Sequence, residues 1–321
     1  MTTIPPEDPA ELDAWLSARE AAFGDVREEA DARIIWAGGA RRRTPLALVY
    51  LHGYSASRRE TAPLCDELAE RLGANLFYAR LAGHGRHAPE AMGEASAACW
   101  RRDAEEAFEI GTRLGERVVL VGCSTGATLA TLVAAEAPEA LAACVLIAPN
   151  YGPRDPRTAL LTWPGARRWV PWVIGRERVV EAENDAHARF WTLRYPTPSL
   201  VPMMELVQQV RRADLGAVTS PVLAVWCEQD EVVDAARIPP TLARLRAAHV
   251  ETMLLEAIPG ASNHVVVGDA FAPDATAPVR ERILAFLAGT GVVQGGAEQS
   301  ASSKNVSMVS TSAGPKGLGS T

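Results

Sequence analysis

Apolar residues along this chain fall into short unbroken runs, separated by stretches with helical spacing. Residues 46–51, 118–121, 143–147 and 222–226 are continuous apolar runs without a polar face. That is the pattern of central strands in a parallel sheet covered on both sides. Residues 33–36, 75–79 and 251–256 complete the predicted strands. Helices are predicted over 8–23, 59–72, 96–114, 125–137, 237–249 and 277–288. Asp8 caps the first, Pro9 suits its first turn, and Leu12, Trp15 and Ala22 share a face. In 96–114, Trp100, Ala104, Ala107, Phe108 and Leu114 recur at helical spacing with acids between them. Strands alternating with helices predict an α/β fold, a doubly wound and mostly parallel sheet with helices on both faces.

The alternation breaks over residues 150–215, which are rich in proline and arginine and hold four tryptophans, Trp163, Trp169, Trp172 and Trp191. No strand pattern shows there, and the segment reads as an insertion between two strands. From about Gly291 the chain is Gly, Ser, Thr and Ala with few large apolar residues. Such a segment buries too little surface to offset its ordering entropy. The expected organisation is a core in two parts, 1–149 and 216–290, an insertion at 150–215 and a disordered tail at 291–321.

The net charge of −7 argues against a nucleic-acid partner, which needs a positive field. The arginine pairs are scattered and read as solvated surface. The N-terminus has no basic region followed by an apolar one, and no apolar run is long enough to span a bilayer. The five cysteines are an odd number without CxxC spacing, which suggests reduced thiols and a cytoplasmic location. No feature of the sequence specifies an oligomeric state.

Gly122-Cys123-Ser124-Thr125-Gly126 directly follows a predicted buried strand and opens a predicted helix. That is the setting of a nucleophile elbow, in which a serine sits on a strained turn and a helix N-terminus faces developing negative charge. A serine needs a base to take its proton. His264 follows a strand and a Pro-Gly-Ala-Ser-Asn loop. A base in turn needs a carboxylate to fix its tautomer. Asp230 lies in the loop after strand 222–226, with Glu228, Glu231 and Asp234 as neighbouring acids. All three candidates fall just beyond C-terminal strand ends, where ligands bind in open α/β sheets. His52-Gly53-Tyr54 follows the first central strand in the same way, and its loop can bring the Tyr54 N–H next to that of Thr125 as an oxyanion hole. His84 and His87 lack the acids or cysteines that a metal site would add, so no metal is expected.

Five segments together, LHGY at 51–54, GHG at 83–85, VGCSTG at 121–126, EQDEVV at 228–233 and SNH at 262–264, resemble the α/β-hydrolase superfamily. They are similar to its carboxylesterase, monoacylglycerol lipase and serine aminopeptidase-like group, and span about residues 46–290 in the family's order. The resemblance implies Tyr54 and Thr125 as oxyanion donors and a helical lid at 150–215, between strands six and seven. Ala127 stands where members often carry a second glycine, and Cys227-Glu228 where the acid loop usually begins with glycine. The expected reaction is hydrolysis of a small-molecule carboxylic ester through an acyl-enzyme on Ser124, with Asp230 and His264 completing the triad and no cofactor. Amide, peptide or thioester cleavage by the same triad is the enzymatic alternative, and a non-catalytic binding module on this fold the other. The lid tryptophans read either as packing or as the lining of an acyl pocket, with Trp163, Trp169 and Trp191 as candidate substrate contacts.

Overall fold

The computed structural model describes residues 4–136 and 138–293. Of the tail expected at 291–321, residues 294–321 lie outside the described residues. In chain order the elements are α1 (Pro9–Ala21), β1 (Arg33–Ile35), β2 (Thr44–Leu51), α2 (Leu64–Leu72), β3 (Asn75–Tyr78), α3 (Ala91–Glu94), α4 (Ala97–Leu114), β4 (Gly115–Cys123), α5 (Thr125–Ala135) and β5 (Leu141–Ile147). There follow α6 (Ala166–Ile174), β6 (Glu177–Val179), α7 (Asp185–Phe190), β7 (Arg194–Pro196), α8 (Leu200–Arg212), β8 (Val222–Cys227), α9 (Ile238–Leu242), β9 (Val250–Leu255) and α10 (Pro273–Gly289).

Seven strands form one sheet in the order β1-β3-β2-β4-β5-β8-β9. Only β1 runs antiparallel to its neighbour, and every other pairing is parallel. The apolar runs serve both faces because successive side chains alternate. Ala47, Val49, Leu51, Val118 and Leu120 enter one core with Trp100 of α4 and Leu129 of α5. Leu46, Leu48, Tyr50, Val119 and Val121 enter the other with Leu68 of α2 and Phe286 of α10. Each buried Leu, Val or Phe contributes about 1.5–3 kcal/mol, so no strand can slip register without exposing a whole row. The register sets Leu51 beside Gly122 and Cys123 beside Ile147, so the loops after β2, β4 and β5 meet at one sheet edge.

Several expectations from the sequence need correction. Helix α2 starts at Leu64 rather than 59, because a residue before proline is pushed out of the helical region and Pro63 follows Ala62. The helix expected over 237–249 is only α9, five residues long. The insertion does hold strands: β6 and β7 pair antiparallel, with Glu177 opposite Pro196. Three-residue strands are too short to show alternation. In chain order the insertion falls between β5 and β8, which lie side by side in the main sheet. Helix α8 joins it to the core: Val201, Met204 and Val207 pack with Val170 of α6, while Leu206 and Val210 enter the main core. Among the described residues no helix is long and apolar enough to cross a membrane.

Candidate active site

Ser124 stands between β4 and α5 with φ +52° and ψ −114°, a conformation that an L-residue rarely adopts. Such strain costs about 1–3 kcal/mol and persists only where surrounding contacts enforce it. Here the Ser124 N–H donates to Ile147 O at 2.9 Å, and Ser124 O accepts from Thr128 N at 3.1 Å and Asn150 N at 3.2 Å. The flanking glycines make the turn sterically feasible. A Cβ on Gly122 would come within 2.5 Å of Gly126 O, and one on Gly126 would overlap Leu51 O.

His264 reaches the serine from the loop after β9. Asn263, at φ +55°, shapes that loop: its Oδ1 accepts from Ile258 N at 2.7 Å and its Nδ2 donates to Ala261 O at 3.0 Å. His264 Nε2 lies 2.9 Å from Ser124 Oγ, and Nδ1 lies 2.8 Å from Asp230 Oδ2. A carboxylate only accepts, so Nδ1 carries the proton and Nε2 is free to accept from the serine hydroxyl. Burial pushes the His264 imidazole down, but the Asp230 charge and hydrogen bond, with Glu60, outweigh it and leave the group above its ordinary 6.5.

Asp230 is buried at the end of β8, where its Oδ1 accepts from Val232 N at 2.8 Å and Val233 N at 2.9 Å. The neighbouring acids lie elsewhere. Glu228 and Glu231 are exposed, and Asp234 pairs with Arg237 at 2.9 Å.

The loop after β2 runs alongside. Thr125 is the first residue of α5, so its N–H has no partner within the helix. The Gly53–Tyr54 peptide is held by its carbonyl. Gly53 O lies 2.8 Å from His52 Nδ1 and also accepts from Ala56 N at 3.3 Å. Leu81 N donates to His52 Nε2 at 3.1 Å, so His52 is neutral with its proton on Nδ1. Burial pushes its pKa down to about 4. A trans peptide directs its N–H opposite to its C=O, so the clamp on Gly53 O also aims the Tyr54 N–H. The insertion hydrogen-bonds to this loop through Thr192 N to Ser55 O at 2.7 Å and the Tyr54–Ser199 hydroxyl pair at 2.6 Å.

The fold separates Trp163, Trp169 and Trp191, the three tryptophans of the insertion expected to meet substrate. Trp163 is 62% exposed and Trp169 half-buried against the α6–α8 cluster. Trp191 is 5% exposed and packs with Ala56 of the loop after β2 and edge-on to Phe271 at 5.3 Å. His84 is buried against His52, Tyr54 and Trp100. Among the described residues no group of three or more His, Cys, Asp and Glu is placed to hold a metal. Glu60 escaped sequence reading. Its Oε2 accepts from Gly53 N at 2.7 Å and Tyr50 OH at 2.8 Å. No spacing marks it, since an acid in a loop ordinarily faces water.

The family model for serine aminopeptidase S33 matches residues 43–262. No curated protein sequence matches the chain. Similar solved structures include a metagenome-derived lipolytic enzyme described with LipS and LipT, at 21% identity and TM-score 0.65, covering 82% of this chain and 98% of that one. A soluble variant of the monoglyceride lipase from Saccharomyces cerevisiae, in complex with a substrate analog, follows at 11% identity and TM-score 0.62, covering 81% and 91%. The monoacylglycerol lipase of Paleococcus ferrophilus is 14% identical at TM-score 0.59, covering 81% and 100%. At these identities the likeness is one of fold.

Proposed function

Because this chain belongs to the serine aminopeptidase S33 family of α/β-hydrolases, we propose that it is a serine hydrolase cleaving carboxylic esters through an acyl-enzyme on Ser124. The observation that carries the reading is the run of hydrogen bonds from Ser124 Oγ through His264 to Asp230. As His264 Nε2 takes the Ser124 proton, Oγ bonds to the ester carbonyl carbon and the carbonyl oxygen becomes an oxyanion. The N–H groups of Tyr54 and Thr125 hold that oxyanion, the role that preorganised donors play in acyl transfer. The tetrahedral adduct collapses, and the imidazolium gives its proton to the departing alkoxide. Water then enters, His264 takes one of its protons, and the hydroxide attacks the acyl carbon. Ser124 leaves with the proton returned by His264, and the carboxylic acid is released. Asp230 orients the ring and stabilises its cationic form throughout. This chemistry needs no cofactor.

Residues 150–215 act as a cap in this reading, with Trp191 the one candidate substrate contact beside the oxyanion loop. The lipolytic and monoglyceride lipase neighbours support an ester substrate. The family's serine aminopeptidase description supports amide cleavage as a second reading. Five free cysteines support a reducing, cytoplasmic location.

Fluorophosphonate labelling with peptide mass spectrometry tests the nucleophile. Ser124→Ala should abolish the adduct and lower kcat by about 10⁶-fold, as loss of a triad serine does elsewhere. An adduct on Ser55, Ser57 or Ser262, or wild-type activity in the variant, would falsify the proposal. A p-nitrophenyl ester chain-length panel with a peptide-amide control separates ester from amide preference.

A further inference from the structure

Glu60 lies in the non-helical stretch before α2 and is 2% exposed. Its carboxylate backs the oxyanion loop. A Cβ built on Gly53 would sit 2.5 Å from Glu60 Oε1 and 3.2 Å from Ser124 Cβ, so Gly53 is sandwiched between the acid and the nucleophile. With Gly53 N–H on Glu60 and Gly53 O on His52, both ends of the residue preceding the Tyr54 donor are held by buried side chains.

The geometry points to Glu60 as a positioning residue, a second buried carboxylate that clamps the oxyanion loop through Gly53 and supplies negative charge to His264 alongside Asp230. This rests on the hydrolase reading above. The surroundings leave that charge uncompensated by any other base. From β2, Tyr50 donates to Glu60; from β4, Cys123 donates to it; from α2, Cys65 lies close to both. Burial pushes all three well up, so they stay neutral. The adjacent cations are engaged elsewhere, Arg58 with Asp31 at 3.2 Å and Arg59 with Glu29 at 3.8 Å. Burial pushes Glu60 itself up to about 7, offset in part by the Gly53 and Tyr50 hydrogen bonds and by His264. Its ionisation therefore falls near neutrality, where His264 must be uncharged to accept a proton.

The test is Glu60→Gln, which keeps an acceptor for Gly53 N–H and removes the charge. In the intact chain, kcat for a p-nitrophenyl ester should fall about 10-fold with KM little changed, less than the loss of a whole oxyanion donor. The His264 titration, followed by imidazole NMR, should move to lower pH, and the acidic limb of kcat/KM with it. A His264 midpoint equal to wild type, or an unchanged kcat, overturns the assignment. If Glu60→Gln does not fold, Glu60→Asp keeps the charge but shortens the reach. It should lower kcat with the acidic limb in place, and wild-type kcat there overturns the clamp. Absence of a Ser124 adduct in the wild-type protein would instead overturn the hydrolase reading. The NMR titration needs no turnover and still decides the role of Glu60.

Discussion

Asp230 meets His264 with one carboxylate oxygen only. Oδ2 lies 2.8 Å from His264 Nδ1, while Oδ1 is occupied by the backbone N–H groups of Val232 and Val233. The division matters because both oxygens must accept. In Asp230→Asn the side-chain carbonyl stays on the two backbone donors, and the amide NH2 faces Nδ1. The ring must then carry its proton on Nε2, where it cannot receive one from Ser124. A kcat loss of about 10⁴-fold is expected, by analogy with the same change in a serine protease. Glu231→Gln, on an exposed side chain, should leave kcat near wild type. Steady-state kinetics on both variants decide, and the reverse pattern would move the acid to Glu231.

His52 and His264 should titrate on opposite sides of 6.5, although His52 is buried and His264 largely so. Burial alone dominates at His52 and takes it down to about 4, whereas Asp230 and Glu60 carry His264 above 6.5 against burial. In the proposed mechanism His264 must be neutral, so kcat/KM should fall as pH drops through a midpoint above 6.5. For stability the signs differ. The raised His264 stabilises the fold below 6.5, and that contribution is lost as pH rises through its folded midpoint. The depressed His52 favours the fold above 6.5 and loses about 3 kcal/mol of stability as pH falls from 6.5 to about 4. Imidazole NMR reads both midpoints, and a His52 midpoint near 6.5 would refute the burial of a neutral His52 ring.

Gly126→Ala should destabilise the protein far more than a surface change. The new Cβ overlaps Leu51 O and lies 2.5 Å from Leu51 C and 2.7 Å from His52 O. These are backbone atoms of β2 and its loop, so no rotamer change relieves them and α5 must move off the sheet. Overpacking of this kind costs about 1–3 kcal/mol or more. Thermal melting by circular dichroism should show a clear fall in Tm together with lost esterase activity, and an unchanged Tm would contradict the close approach.

Among the tryptophans of the insertion, Trp191→Ala should lower unfolding free energy by about 3–5 kcal/mol, because a 5% exposed indole leaves a cavity against Phe271 and Ala56. Trp163→Ala, at 62% exposure, should stay within about 0.5 kcal/mol. Urea unfolding measures both. The acyl-chain profile should shift for Trp191→Ala and hold for Trp163→Ala; a narrowed profile in the latter would restore Trp163 as a substrate contact.

Sequence alone determined the doubly wound sheet and named Ser124, Asp230 and His264, the three side chains that the fold brings into one hydrogen-bonded line. The reason is that their signals are local. A buried strand of continuous apolar residues, two glycines at fixed offsets and a helix start are read within a dozen positions, and strand ends of a parallel sheet converge whatever the loops contain. Tertiary structure alone decided the rest. Glu60 acquires its partners only when the stretch before α2 folds under Gly53, seven residues back, and the non-helical turn that takes it there follows from Pro63 rather than from any apolar period. Trp163 and Trp191 look alike in sequence, both aromatic residues in a segment without pattern. One ends exposed and the other buried because α6 turns its Val170 side toward α8, while the segment after α7 packs against Ala56. Burial there depends on which surface a short element meets, and a chain carries no local record of its distant neighbours.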